Sequence, residues 1–235
     1  MTDVLTLSGV ARRFGSTTAL HEIDLTVPPG RFVAIMGATG SGKSTLLHCA
    51  AGLDRPTAGR VELAGHALRR MSEGRLTRLR RDRVGFVFQS YNLLSELTVA
   101  QNVALPTRLG GPRKYRVDEV LAAVGLAGLG RRPVGELSGG QKQRVAVARA
   151  LVTGPSVIFA DEPTGALDPT TGGQILRLLR EAVDRDGVTI VMVTHDPAAA
   201  AWTDRVILLR HGSIVADGPA GDAPHIADRL RAVAA

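Results

Sequence analysis

Gly37-Ala38-Thr39-Gly40-Ser41-Gly42-Lys43-Ser44-Thr45 is the stretch on which this sequence turns. Before it runs Arg31-Phe32-Val33-Ala34-Ile35-Met36, a short apolar run of the kind that forms a buried strand. After it comes Leu46-Leu47-His48-Cys49-Ala50-Ala51, which reads as a helix starting near Lys43. Strand, glycine-rich loop and helix, in that order, are the context of a phosphate-binding loop. Gly37, Gly40 and Gly42 lack a Cβ, so the backbone can curl and aim successive N–H groups inward. The helix start adds its positive end, and the concavity favours phosphate. Lys43 can set its ammonium between β- and γ-phosphates. The Ser44 hydroxyl can ligate Mg²⁺, and Thr45 is placed to contact the α-phosphate.

Composition narrows the classes. The chain has 235 residues, 44% of them hydrophobic, enough for one sizeable core or one domain with an insert. No apolar run reaches the roughly 18 residues of a membrane span. The start, Met1-Thr2-Asp3-Val4-Leu5-Thr6-Leu7, has neither a basic region nor a long apolar one, so no signal peptide is expected. The single Cys49 excludes an internal disulfide, fits a reducing compartment and reads as a small buried helix residue. The net charge of +7 is carried mostly by arginine, densest from Arg69 to Arg83. Leu68, Met71, Leu76 and Leu79 recur there at helical spacing, giving a solvated basic helix face or a surface for acidic lipid or a partner.

Val4 to Val10 and Ala19 to Val27 read as strands, with Arg12-Arg13-Phe14-Gly15 as a turn between them. Pro56 to Arg60 reads as a turn before the strand Val61-Glu62-Leu63, and Val84 to Phe88 is a strand ending at Gln89. From about Ser90 to Glu136 the texture changes. Helical stretches (Thr98 to Leu105, Arg116 to Val124) are separated by Pro106, Gly110-Gly111-Pro112 and Gly125, as in a helical insert within an α/β core. The core resumes with a helix from Gln141 to Leu151, the strand Val157 to Ala160, a helix from Pro169 to Asp184 and the strand Gly187 to Thr194. Two short strands, Val206 to Leu209 and Ser213 to Ala216, are expected to close the chain.

Further chemical groups gather at the expected strand ends, where open α/β sheets keep their ligands. Asp161 can hold the Mg²⁺ hydration shell, and Glu162 can polarise a water aligned with the γ-phosphate. His195 can contact the γ-phosphate and orient that water. Gln89 can reach Mg²⁺ or the attacking water. Ser138 is an N-cap type, and with Gly139, Gly140 and Gln141 it leaves a second helix N-terminus open to an anion. One of these two sites can serve a nucleotide held by a second copy of the chain.

Together these residues resemble the ATP-binding subunits of ABC transporters. Gly37 to Thr45 matches that family's Walker A loop. Leu137-Ser138-Gly139-Gly140-Gln141 matches its signature motif, Asp161-Glu162 the end of Walker B, and Ala166-Leu167-Asp168 the D-loop. Gln89 resembles the Q-loop glutamine and His195 the switch histidine. Phe14 resembles the adenine-stacking aromatic, more often Tyr in the family. A narrower similarity, to the lipoprotein-release and macrolide-export group, rests on Gly85 to Leu94, Leu97-Thr98-Val99, Asn102-Val103 and Glu162-Pro163-Thr164-Gly165. Ala166 stands where many of that group have Asn.

The resemblance implies an α/β P-loop NTPase core of ABC ATPase type, with an N-terminal antiparallel β-subdomain and an inserted α-helical subdomain. Residues 1–235 would form one domain, with 1–89 and 141–235 as β-subdomain and core and 90–140 as the insert. It implies ATP and Mg²⁺ as ligands, and a head-to-tail dimer in which each ATP lies between the Walker A loop of one copy and Ser138-Gly139-Gly140 of the other. It implies catalytic roles for Glu162, His195, Lys43 and Gln89, and metal-facing roles for Ser44, Gln89 and Asp161. A permease on a separate chain is the implied partner, docking between Gln89 and the insert, with no nucleic acid expected. The place implied is the cytoplasmic face of the cell membrane. A cell-division or peptide-sensing ATPase would carry the same motifs. A DNA-repair type would need a far longer insert, and a translation type usually has two ATPase domains. A catalytically silent module would not need Lys43, Asp161, Glu162 and His195 all intact.

Overall fold

The structure, a computed structural model, describes residues 2–112 and 114–234; Met1, Arg113 and Ala235, which fall inside the domain bounds given above, lie outside the described residues. Alternating apolar residues build the first strands: β1 (Leu5–Phe14) buries Leu5, Leu7 and Val10. Gly9, at φ +56°, forms a bulge that turns Val10 inward. Next come β2 (Thr17–Val27), β3 (Phe32–Met36), α1 (Lys43–Ala50), β4 (Ala58–Leu63), β5 (His66–Ala67), α2 (Glu73–Arg83) and β6 (Val84–Phe88). Then follow α3 (Val99–Arg108), α4 (Val117–Ala123), α5 (Gly139–Leu151), β7 (Val157–Asp161), α6 (Pro169–Asp186), β8 (Thr189–Val193) and α7 (Pro197–Ala200). The described chain closes with β9 (Arg205–Arg210), β10 (Ser213–Pro219) and α8 (Ala223–Ala234).

Two sheets result. One is antiparallel, in the order β2-β1-β4-β5; the other runs β10-β9-β3-β8-β7-β6 and is parallel except for β10. The central strands are apolar on both faces, as a covered parallel sheet requires. Val33, Ile35, Phe159, Val191 and Ile207 face α1 and the antiparallel sheet. Ala34, Met36, Ile158, Met192 and Leu208 face α5, α6 and α8. This α/β architecture with an antiparallel β-subdomain is the expected class. Cys49 is fully buried, and burial pushes its thiol pKa up to about 12, so it is an inert packing residue.

Several local expectations are corrected. Arg12 to Phe14 is strand, since β1 runs on through irregular pairing with β2. Ala58 to Arg60 belongs to β4. The basic stretch is broken: a 3-10 turn at Leu68–Arg70 and α2 are separated at Met71 and Ser72, both extended or cap residues. Within it Arg80 pairs with Glu73, which also pairs with Arg55 outside the stretch, while Arg69, Arg70, Arg75 and Arg78 are exposed. Helix α3 passes through Pro106 to Arg108, because the proline falls in the last turn, where little of the helix remains to break. Helix α8 was not expected; Ile226, Leu230 and Val233, at i, i+4 and i+7, pack it on the core.

Asn102 on α3 holds the loop before its own helix. It is fully buried; Oδ1 accepts from Leu94 N–H at 2.8 Å, and Nδ2 donates to the carbonyls of Leu94 at 3.0 Å and Thr98 at 3.1 Å. Replacing Asn102 with Leu strands these groups in an apolar interior and is expected to lower stability by about 3 kcal/mol, read by denaturant unfolding.

Candidate functional site

Backbone geometry explains the glycines of the loop between β3 and α1. Gly42, at φ +101°, is the N-cap of α1, and a Cβ there would meet the Ala19 carbonyl oxygen at 2.6 Å. At Gly37 a Cβ would fall 2.1 Å from the Leu209 carbonyl oxygen. The loop is therefore pressed against β9 on one side, while Ala38, Thr39, Gly40 and Ser44 stay exposed. Lys43 folds back across it, donating from Nζ to the carbonyls of Gly37 and Ala38, both at 2.9 Å. Burial lowers the Lys43 pKa, and the carboxylates of Glu162 and Asp161 oppose that shift. Thr45 is half-buried one residue on, in the first turn of α1.

The strand ends bring the other groups to this loop. Asp161 ends β7, pairs with Val193 of β8, and lies beside Phe88 of β6. Ser44 Oγ donates to its Oδ1 at 3.4 Å. Burial raises the Asp161 pKa, the opposite of what a carboxylate facing only cations would show. Glu162 takes a left-handed conformation, φ +48°, fixed by donation from its N–H to the Val193 carbonyl at 3.0 Å. Such a conformation costs a non-glycine residue about 1 kcal/mol and is found where surrounding structure imposes it. The bend aims the side chain toward β8, where His195 Nδ1 lies 2.9 Å from Glu162 Oε1. Gln89, one residue past β6, rests against Gly165: a Cβ on that glycine would meet Gln89 Nε2 at 2.9 Å. Lys43, Ser44, Asp161, Glu162 and His195 thus share one surface, with Gln89 at its edge.

A second opening lies at the start of α5. Ser138 and Gln141 form a capping box: Ser138 Oγ accepts from Gln141 N–H at 3.3 Å, and Gln141 Oε1 accepts from Ser138 N–H at 3.0 Å. The Ser138 hydroxyl proton remains free to donate. Gly140 is required by packing, since a Cβ would fall 2.4 Å from Thr171 Cγ2 of α6. Ser138 to Gln141 line a cleft of about 520 Å³ with Ala166, Leu167 and Asp168, and no residue of the Gly37–Thr45 loop lines it. Asp168 caps α6 through Thr171 N–H at 3.0 Å, and the Thr171 hydroxyl, followed by that N–H, lowers its pKa.

A family model described as ABC transporter matches residues 20–165, more than half the chain and spanning the loop, the α5 cap and the β7 carboxylates. The chain belongs to the ABC transporter family. This ABC domain is 48% identical over 239 residues to a macrolide export ATP-binding/permease protein, MacB, of Rhodopseudomonas palustris, a match covering 94% of this chain and 36% of that protein. A MacB of Chromobacterium violaceum is 46% identical, covering 92% and 35%. The chain thus spans about a third of the length of the curated relatives it matches. Among solved structures, the dimeric ATP-binding cassette MJ0796, in a post-hydrolysis state bound to ADP and Pi, superposes with a TM-score of 0.83 at 38% identity, covering 92% of this chain and 98% of that one. The cbiO1 protein of Clostridium perfringens, part of the cbiONQ transporter complex, gives 0.84 at 29%, covering 100% and 94%.

Three groups of this ABC domain were missed in the sequence. Gln143, fully buried on α5, donates from Nε2 to the Pro163 carbonyl, tying α5 to the residue after Glu162. Arg149, on the same helix, donates to the carbonyls of Tyr91 and Asn92, two residues at positive φ just past Gln89. Gln143 is fully buried and Arg149 half-buried, on different sides of α5, and no local sequence pattern marks either. The third is Arg12, whose guanidinium lies over the ring of the half-exposed Phe14.

Proposed function

We propose that this chain is the ATP-binding and hydrolysing part of a membrane transporter of macrolide-export type, working as a pair of copies that close on two ATP molecules. The observation that carries the pairing is the α5 N-terminus. It is a capped, open anion site with a free hydroxyl donor, and its cleft holds no residue of the phosphate loop of its own chain. A γ-phosphate held by the Gly37–Thr45 loop of one copy would meet Ser138, Gly139 and Gly140 of the other. The dimeric state of the MJ0796 cassette supports this reading.

In the reaction, loop N–H groups and Lys43 would hold the β- and γ-phosphates, and Phe14 would stack on adenine. Glu162, oriented by His195, would accept a proton from water as its oxygen bonds to the γ-phosphorus and the bond to the β-phosphate oxygen breaks. Ser44 and Asp161 offer two oxygens 3.4 Å apart on an open surface, a donor set suited to Mg²⁺, with Gln89 at hand. That ion would neutralise phosphate charge. Loss of the bridging γ-phosphate would release the two copies.

Residues 90–140 would act as a helical subdomain that transmits this motion. A groove of about 400 Å³ lies between it and the core, lined by Phe86, Phe88, Asn92, Leu105 and Leu109, and would receive the membrane-embedded partner. Arg149 links that groove to the signature helix. No helix among the described residues is long and apolar enough to cross a membrane, so spanning segments would come from elsewhere, with this domain at the cytoplasmic face.

Ser138→Arg tests the composite site. ATP binding to single copies is expected to stay, since Ser138 is remote from the loop, while ATP-dependent pairing is lost. Light scattering with and without Mg-ATP reads this, and normal pairing of the variant would refute the shared site.

A further inference from the structure

Arg12 and Asp54 touch no phosphate-loop residue through their side chains, yet they join the aromatic platform to the phosphate-loop helix. The Arg12 guanidinium carbon lies 4.2 Å from the centre of the Phe14 ring, which is 49% exposed. Arg12 Nε donates to Asp54 Oδ2 at 2.7 Å. Asp54 is itself fixed: its N–H donates to the His48 carbonyl at 3.2 Å, and its Oδ1 accepts from Arg55 N–H at 2.8 Å. His48 lies on α1, the helix that begins at Lys43. Thr57 adds a second tie, donating from N–H to the Ala11 carbonyl at 2.8 Å and accepting from Arg13 N–H at 3.1 Å on Oγ1.

A half-exposed phenylalanine on a strand near its hairpin turn would otherwise sample several rotamers, and stacking a base on it would require ordering it first. The guanidinium occupies one face of the ring and leaves the other to a base. We propose that Arg12, anchored by Asp54, is a positioning residue for nucleobase recognition: it clamps Phe14 at a fixed reach from the phosphate loop. This rests on the reading of Phe14 as the stacking aromatic. Its consequence is selective, because a clamp on the base platform bears on adenine and not on the phosphates.

The test is calorimetric titration of the whole chain with Mg-ATP and with inorganic tripolyphosphate, which carries phosphates and no base. Arg12→Met is expected to weaken ATP binding about fivefold and leave tripolyphosphate binding unchanged. Asp54→Ala is expected to shift the same ratio in the same direction. Equal losses for both ligands would mean a merely structural role, and unchanged or tighter ATP binding would mean that the guanidinium does not help the base; either result overturns the proposal. Phe14→Ala separates the two levels. If it leaves the ATP-to-tripolyphosphate ratio untouched, the stacking reading itself fails and the clamp with it. If it lowers the ratio while Arg12→Met does not, the clamp alone fails.

Discussion

Glu162→Gln is expected to lower ATP turnover by about a thousandfold while leaving ATP binding intact. The carboxylate has both a fixed backbone and a fixed side-chain partner. Its φ of +48° is imposed by the Val193 carbonyl, and His195 Nδ1 holds Oε1 at 2.9 Å. Glutamine keeps the size and one oxygen but cannot take the proton of the attacking water. With hydrolysis stopped, the γ-phosphate persists between the copies, so the variant is expected to accumulate as an ATP-bound dimer. Steady-state phosphate release and nucleotide retained after desalting measure the two effects. Turnover at the native rate would remove Glu162 from the role of base.

Lys43→Ala is expected to weaken ATP binding by about 10- to 100-fold, the loss of charge-assisted hydrogen bonds to two phosphates. The fold is expected to survive, because among the described residues the Lys43 side chain bonds to the loop's own carbonyls of Gly37 and Ala38. Burial already lowers its pKa, so its ammonium is held at some cost that a phosphate partner would relieve. Titration with a fluorescent ATP analogue reads the affinity, and circular dichroism reads the fold. Unchanged affinity would detach Lys43 from the phosphates.

The sequence displayed the groups of both openings because each stands at a strand end or helix start. Asp161 and Glu162 follow Val157–Ala160, His195 follows Thr194, and Ser138 precedes two glycines. Periodicity and cap chemistry are local, so they can be read without the fold. What escaped was non-local. Gln143 and Arg149 look like ordinary helix residues until α5 is laid against the loops at Pro163 and Tyr91. Arg12 looked like a turn residue because Gly15 suggested an early end to β1, whereas Arg12 to Phe14 remain paired to β2. Helix α8 was legible through Ile226, Leu230 and Val233 but lies beyond the two strands that complete the sheet.

The shared ATP site is tested most directly by mixing two variants in a Glu162→Gln background, one carrying Lys43→Ala and the other Ser138→Arg. Each alone has both shared sites broken. A mixed pair restores one, from the phosphate loop of the Ser138→Arg copy and the intact Ser138 of the Lys43→Ala copy. With Mg-ATP, the separate variants are expected to stay monomeric and the mixture to form a dimer retaining one ATP, resolved by native mass spectrometry. A mixture that stays monomeric, while the Glu162→Gln chain alone dimerises, would contradict a site built from two copies.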